Sequence, residues 1–592
     1  MIRLSQRNMA HLLIIKRISQ LGWLLLAIVC VLPAFSNGEE SEYCLAETPC
    51  WPSDGRVGEF MYSLSGGYTD VHYIDLASYY LVKYVKNWDY WTWPSLVVIC
   101  RTPEDVQKSV RFAKKYGIKM SMLSSGHDYI GRSTGYMTVM IRMNDMNDMT
   151  VFTEDANSDT GSSMIAETGA NWENVYEEVD KHDLIAVGGA AHTVAMGGWF
   201  LGGGHSAVSR KLGLGVDQIM SYRMVLADGQ FANISAEGVT YENGTVSTDT
   251  DLFWALRGGG GGSFGVVTSF HFRLHPKPLN GLIGYTADYP YFLENGTDVG
   301  SLVLDNWGRF LKNNMTENWG GYVMIQKYNS ISENKTTKGQ VVFYLIHYGG
   351  DFAEAVNTLK PLVDFMPDAR LKEVEWKNYT SFWDYNKLNA DDLASATYIV
   401  NRLIQPADLE GSEGNLSPMA QFFKGEFDAY PDLPDDRFIH CTATHIGKKT
   451  SLPAADATAV NPAFRTALLS LSCGNGGWVN ITGHIDTPMK VHLKGVMRDF
   501  AKELYTIGEG VYLNEPDSEL TDWKTDYWGN NYGRLLEAKR KYDPERYFTC
   551  LHCVGSDLPY TGTDGTDDST SLSSTPCVWV LLAYTACYFC RK

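Results

Sequence analysis

Three glycine-dense stretches constrain the fold more than any other feature of this chain. The first, Ser124-Ser125-Gly126-His127-Asp128-Tyr129-Ile130-Gly131-Arg132-Ser133, follows a strand-like run at 118–123. Small residues there let successive backbone N–H groups point into one concavity, the arrangement that a pyrophosphate needs. The second, Thr193-Val194-Ala195-Met196-Gly197-Gly198-Trp199-Phe200-Leu201-Gly202-Gly203-Gly204-His205-Ser206, runs on to Gly213-Leu214-Gly215-Val216-Asp217. Its glycines remove Cβ atoms, so a flat ring or a phosphate can lie against the backbone, and its Trp, Phe and Leu distinguish it from a flexible linker. The third joins Asp251-Leu-Phe-Trp-Ala-Leu-Arg257 through Gly258 to Gly262 to Ser263-Phe264-Gly265-Val266-Val267-Thr268. Gly260, Gly262 and Gly265 match the dinucleotide fingerprint in spacing, but a Rossmann motif runs from strand into helix. This one runs from helix into a strand, which argues against a nicotinamide-binding Rossmann domain. Alone, His127 reads as an ordinary hydrogen-bonded loop histidine.

A chain of 592 residues predicts two to four structural units. The formal charge of −19 argues against a nucleic-acid footprint, which needs clustered Lys and Arg. Aromatic residues make up 12% of the chain, which suits either a large core or a cleft that stacks flat rings or sugars. Arg3, Arg7, Lys16 and Arg17 precede an apolar run at 21–31, and Ala34-Phe35-Ser36 reads as a cleavage site, so residues 1–36 are predicted to be a signal peptide, with an uncleaved signal anchor as the alternative. Eight Asn-x-Ser/Thr sequons, at Asn233, Asn243, Asn295, Asn314, Asn334, Asn378, Asn415 and Asn480, predict a glycoprotein. The 11 cysteines suit an oxidising compartment. Cys550-Leu-His-Cys553 has no second pair at zinc-ligand spacing, which favours disulfide chemistry over a metal, and no metal site is expected.

Along the chain, 37–90 is a lead-in and 91–278 alternates short strands, helices and glycine clusters as in an α+β cofactor domain. Within it, Thr102-Pro103-Glu104-Asp105 predicts a capped helix start between strands at 96–100 and 118–123. Residues 279–504 turn aromatic and sequon-rich with strand-like runs such as 340–347, predicting a substrate domain built on an antiparallel sheet. Residues 505–556 contain an amphipathic helix at 534–542, stopped by Asp543-Pro544. A polar spacer and an apolar tail fill 557–592 and resemble a GPI-attachment signal, so either end offers a membrane tether.

Taken in order, Arg-Thr-Pro-Glu-Asp-Val, Ser-Gly-His-Asp-Tyr-Ile-Gly-Arg-Ser, Gly-Gly-Trp-Phe-Leu-Gly-Gly-Gly-His-Ser and the 251–268 segment resemble FAD-linked oxidases of the berberine bridge enzyme-like group, within the vanillyl-alcohol-oxidase superfamily. The likeness continues through Tyr512-Leu-Asn514-Glu-Pro-Asp517, Tyr527-Trp528-Gly529-Asn530-Asn531-Tyr532 and Lys541-Tyr542-Asp543-Pro544, and covers roughly 44–556.

The resemblance implies a two-part PCMH-type FAD-binding domain, completed by 505–556, with the substrate domain inserted. His127 would be bonded to the flavin 8α carbon, Ser124, Ser125, Gly126, Asp128 and Ser133 would cradle the pyrophosphate, and Thr193, Val194, Gly197 and Gly198 would line the flavin. Val267 would add backbone contacts, and Asn531 and Tyr532 would close over the isoalloxazine. Many relatives form a second flavin bond from a Cys two residues before the Thr; that position here is Ala191, which predicts a single covalent bond. Some relatives take their base, a Glu, from the substrate sheet, where Gly476-Gly477-Trp478-Val479-Asn480-Ile481-Thr482-Gly483-His484 has none. Tyr527 and His484 remain as candidates, the tyrosine needing activation from its ordinary pKa of about 10. The expected function is a secreted, FAD-dependent oxidase of a small molecule bearing an alcohol, amine or activated C–H, reoxidised by oxygen to hydrogen peroxide. The alternatives are a flavin dehydrogenase with another acceptor, or an inactive extracellular binding glycoprotein.

Overall fold

Buried and half-buried positions alternate along Val266–Pro276, the period-2 signature of a strand with one face on a core. The computed structural model describes residues 43–558 except 47, 67, 71–86, 88–89, 91, 328–338, 388–394, 430–438 and 479–486; the predicted signal peptide, the apolar tail beyond 558 and His484 lie outside these residues.

Three sheets carry the chain. The first contains β1 (Tyr68–Asp70), β2 (Leu96–Ile99), β3 (Met120–Leu123) and β4 (Val139–Arg142) in the order β1-β2-β4-β3, with β2 and β3 both parallel to β4. Parallel pairing requires a crossover. The helix Pro103–Lys115 supplies it, laying Val106, Val110 and Ala113 into the core beneath the sheet. Thr102 begins that helix by accepting the Asp105 N–H at 3.2 Å. Thr102→Ala is expected to cost about 1 kcal/mol, read from the urea unfolding midpoint.

The second sheet is antiparallel. It holds β5 (Met149–Phe152), β6 (Ser162–Glu167), β8 (Ile219–Val225), β9 (Phe231–Ser235), β10 (Gly238–Tyr241), β11 (Val246–Ser247) and β12 (Val266–Pro276) in the order β11-β10-β9-β8-β12-β6-β5, with the short β7 (Leu184–Ile185) also paired to β12. Trp172, Trp199, Phe200, Phe270 and Phe272 fill the core beside it, the Trp172 and Trp199 rings meeting edge to face at 4.6 Å.

The third sheet is also antiparallel, with β13 (Leu282–Pro290), β14 (Trp319–Lys327), β15 (Gly339–Tyr348), β16 (Glu375–Tyr379), β17 (Ser395–Ile404), β18 (Ile439–His445) and β19 (Leu469–Trp478) in the order β16-β13-β15-β14-β18-β19-β17. Cys441 and Cys473 sit opposite one another on β18 and β19 and form a buried disulfide. Cys44–Cys50 and Cys550–Cys553 are the other disulfides among the described residues, and Cys100 is a buried free thiol. Tyr398, Val400, Leu471 and Cys473 pack into a core with the helices Gly300–Asn313 and Thr487–Leu504. Asn401 and Ser472 stand at the alternating positions and carry the polar contacts described below.

The chain then returns to the first two sheets. Phe548 bridges Met120 in β3, and Trp528 Nε1 donates to the Gly258 carbonyl at 3.0 Å. Residues 511–554, distant in sequence from the glycine motifs, are thus packed among them.

Candidate functional site

The loop after β3 is wound by Gly126 and Gly131, whose φ angles of +88° and +78° lie where side chains are strained. Asp128 holds the turn from inside: its buried carboxylate accepts the N–H groups of Ser133 at 2.9 Å and Ile130 at 3.3 Å. Facing this loop is the stretch before the helix Met196–Leu201. Ser125 Oγ accepts the Ala195 N–H at 3.0 Å, and His127 Nε2 lies 2.7 Å from Thr193 Oγ1. The Val194 carbonyl accepts from Trp172 N, which turns the 193–197 segment back onto the Trp172 core.

Glycine decides how closely the two stretches approach. A Cβ on Gly197 would stand 2.3 Å from Ser124 Oγ and 2.5 Å from Thr168 Oγ1, so no side chain fits. A Cβ on Gly198 would meet nothing within 4 Å, and one on Gly261 would meet only Leu201 at 3.7 Å and the Gly198 Cα at 4.0 Å. Two bare backbones therefore approach each other here without side chains, and Gly258, Gly260 and Gly262 of the third stretch adopt positive φ. This geometry fits an FAD: a side-chain-free groove for flat or phosphate groups beside an imidazole at its wall. Residues Ser124 to Asp128, Ser133, Thr193, Val194, Gly197 and Gly198 come together there. Val267 is buried in β12 and pairs with Met224, contributing backbone behind the site.

The remaining sequence candidates make contacts of their own. Asn531 is buried with Nδ2 donating to the carbonyls of Val460 at 2.9 Å and Thr458 at 3.3 Å, so its amide fastens a loop. The Tyr532 hydroxyl donates to Asp557 at 3.1 Å and accepts the Gly555 N–H, which turns it toward 555–557. Tyr527 is fully buried, its hydroxyl donating to the Asp517 carbonyl at 3.2 Å, and burial pushes its pKa up; both effects hold it as a neutral donor, the opposite of a base. His192 Nε2 lies 2.8 Å from the Asn386 carbonyl, and Ala191 offers no nucleophile.

The structure adds residues that sequence reading passed over. Residues 512–515 thread between the loops: Arg132 donates to the Leu513 carbonyl at 2.9 Å, Asn514 Nδ2 donates to the Trp199 carbonyl at 2.9 Å, and Asn401 accepts the Tyr512 N–H at 2.8 Å. A Cβ on Gly202 would stand 1.9 Å from Asn514 Oδ1. Glu515 then lies 3.2 Å from His205 Nε2, accepts from Asn401 Nδ2 at 3.3 Å and is bonded by the Ser472 hydroxyl. Burial pushes the Glu515 carboxyl up, but the His205 charge and the bonds from His205, Ser472 and Asn401 outweigh it, so the net shift is downward and the group stays ionised. A carboxylate in Tyr-Leu-Asn-Glu-Pro-Asp and a histidine after three glycines were the available signals. A small cleft lined by Tyr129, Tyr398, Lys494, Arg498 and Asp517 begins one residue beyond Glu515, at Pro516.

Comparison with known proteins places this geometry. Residues 94–235 match the FAD binding domain family, and residues 511–554 match the berberine and berberine-like family. The chain is an FAD-linked oxidoreductase of the berberine bridge enzyme-like group. The FAD-linked oxidoreductase apf9 of Gibberella fujikuroi is 26% identical over 501 residues, covering 78% of this chain and 79% of the relative. The VAO-type flavoprotein oxidase VAO615 of Thermothelomyces thermophilus is 26% identical over 79% of this chain and 77% of its own length. In fold, the flavoenzyme resembles the VAO-type flavoprotein MtVAO615 of Myceliophthora thermophila, at a TM-score of 0.71 and 21% identity over 87% of this chain and 97% of that one. It also resembles a carbohydrate oxidase of Microdochium nivale, at 0.67 and 19% over 84% and 99%. Its fold class is thus the PCMH-type FAD-binding fold with an additional antiparallel sheet, and its cofactor is FAD.

Proposed function

We propose that this flavoenzyme is a secreted oxidase that holds FAD through a single covalent bond to His127 and oxidises a small molecule bearing an alcohol, amine or activated C–H. The observation that carries the reading is His127 itself. A loop wound by Gly126 and clamped by Asp128 holds its imidazole 2.7 Å from Thr193 Oγ1, at the wall of the glycine groove. The bond to Thr193 fixes the ring orientation, and the imidazole supplies the nucleophilic nitrogen in flavinylation. Bound FAD supplies two-electron oxidation of the substrate and return of the electrons to oxygen as hydrogen peroxide. The protein binds the pyrophosphate on the 124–133 backbone and excludes water by packing 511–515 over the groove.

Secretion is supported by the leader and by surface placement of the sequons: Asn233, Asn243, Asn295, Asn314, Asn378 and Asn415 are all exposed. Oxygen as the acceptor is supported by the word oxidase in the names of the T. thermophilus relative and the M. nivale structure.

The test is acid precipitation of the purified secreted protein. Yellow flavin should stay with the pellet and map to a peptide containing His127, and in His127→Ala all of it should pass to the supernatant. Flavin freed from the wild type would overturn the covalent bond, and a colourless wild type would overturn the flavoenzyme reading. Peroxide formed in step with flavin reduction and reoxidation separates an oxidase from a dehydrogenase using another acceptor.

A further inference from the structure

We infer that Glu515 is the base of the oxidation, paired with His205, and that together they form an acid–base couple at the junction of the flavin groove and the substrate sheet. The inference rests on the flavoenzyme reading above and deepens it by naming the group that takes the substrate proton.

Three observations carry it. The first is position. Glu515 follows directly on Leu513 and Asn514, which are bonded to Arg132 of the His127 loop and to Trp199 of the Gly197–Gly204 run. On its other side it is held by Asn401 of β17 and Ser472 of β19, both on the substrate sheet. A carboxylate tied to both halves stands where a substrate resting on the sheet meets a ring resting on the glycines.

The second is access. Protein surrounds Glu515, yet its side chain keeps 22% of its surface accessible. A group enclosed yet accessible opens into an internal crevice. Tyr527, with 1% accessible, does not.

The third is an unfilled hydrogen-bonding capacity. The His205 ring pairs with Glu515 Oε1 through Nε2 at 3.2 Å, and its buried Nδ1 makes no hydrogen bond among the described residues. A buried polar atom without a partner costs free energy unless a ligand or water completes it. His205 directly follows the glycine run that begins at Gly197.

The proton balance is simple. As the substrate C–H is lost in the two-electron oxidation that FAD supplies, the O–H or N–H bond breaks and its proton passes to a Glu515 carboxylate oxygen. The neutral carboxylic acid then returns the proton to water, and the carboxylate is restored beside His205. Ser472 and Asn401 donate to the carboxylate in its ionised form, which keeps it ready as an acceptor. The other ionisable groups that face Glu515 are Tyr512 and Tyr322, both kept neutral by burial.

The experiment compares the flavin-loaded wild type with Glu515→Gln, Glu515→Asp and His205→Asn, each normalised to covalent flavin content. Sulfite serves as the anionic probe, its binding read from loss of flavin absorbance between pH 5 and 9. Removing a negative charge near the ring should tighten sulfite binding about tenfold in Glu515→Gln. Benzyl alcohol, benzylamine, D-glucose and cellobiose are then mixed anaerobically with each protein. With any that bleaches the wild type, flavin reduction should slow at least about 100-fold in Glu515→Gln and lose its acid limb, while Glu515→Asp keeps the limb at a reduced rate. A fully loaded Glu515→Gln with wild-type sulfite affinity across the pH range would overturn the inference, as would one that reduces at the wild-type rate; if none of the four reduces the flavin, the sulfite result decides. Absence of flavin in the wild type would instead overturn the flavoenzyme reading.

Discussion

Lys539→Met is expected to cost about 3–5 kcal/mol of folding free energy. The Lys539 ammonium is 2% accessible and the Asp543 carboxylate is wholly buried, 2.7 Å away. The ammonium also donates to the Ser263 carbonyl at 2.6 Å and to the Phe548 carbonyl. Asp543 accepts the N–H groups of Phe548 at 2.9 Å and Tyr547 at 3.0 Å. Burial pushes the Lys539 pKa down, although the ion pair opposes the shift. Removing the cation alone leaves a buried charge with no counter-ion and frees two carbonyls, one of them in the Gly258–Ser263 loop. Urea unfolding followed by tryptophan fluorescence measures the loss. Lys539→Met with Asp543→Asn should recover part of it, because the amide oxygen keeps one of the two backbone N–H bonds and no buried charge is left. A loss below about 1 kcal/mol would mean that water reaches the pair.

Gly197→Ala is expected to abolish most flavin loading and to cost about 1–3 kcal/mol, because the new methyl must displace Ser124 or Thr168. Helix propensity would favour alanine by up to about 1 kcal/mol at this helical position, and the clash at 2.3 Å outweighs it. Gly198→Ala is the informative partner. Its methyl meets nothing, so stability should hold or rise slightly, while flavin content falls because the methyl enters the groove. Thermal unfolding and flavin-to-protein absorbance read the two effects separately. Equal flavin content in wild type and Gly198→Ala would place the cofactor outside this groove.

Local chemistry was legible in the chain. Thr102-Pro103 announced a helix that runs from Pro103, the glycine runs announced backbone stripped of side chains, and helix-before-strand around Gly258 to Val266 excluded a Rossmann turn. The ordered motifs also pointed to FAD, which the family matches bear out. Tyr527 illustrates what was not legible. Its residue type suits a base, but burial and the Asp517 carbonyl fix it as a donor, and both belong to the packed state.

His205 and Glu515 make the same point from the other side. In sequence one is the end of a glycine run and the other the first of three closely spaced acids, with Asp517 and Glu519, and nothing in the chain pairs the two. They meet because 511–515 returns across the groove and because β17 and β19 present Asn401 and Ser472 on the face opposite their apolar core. Sequence by itself determined the elements and the bare backbone, since capping, periodicity and the missing Cβ act within a few residues. Only the tertiary structure decided which titratable groups share a low-dielectric crevice, because desolvation and charge pairing depend on contacts made by segments far apart in the chain.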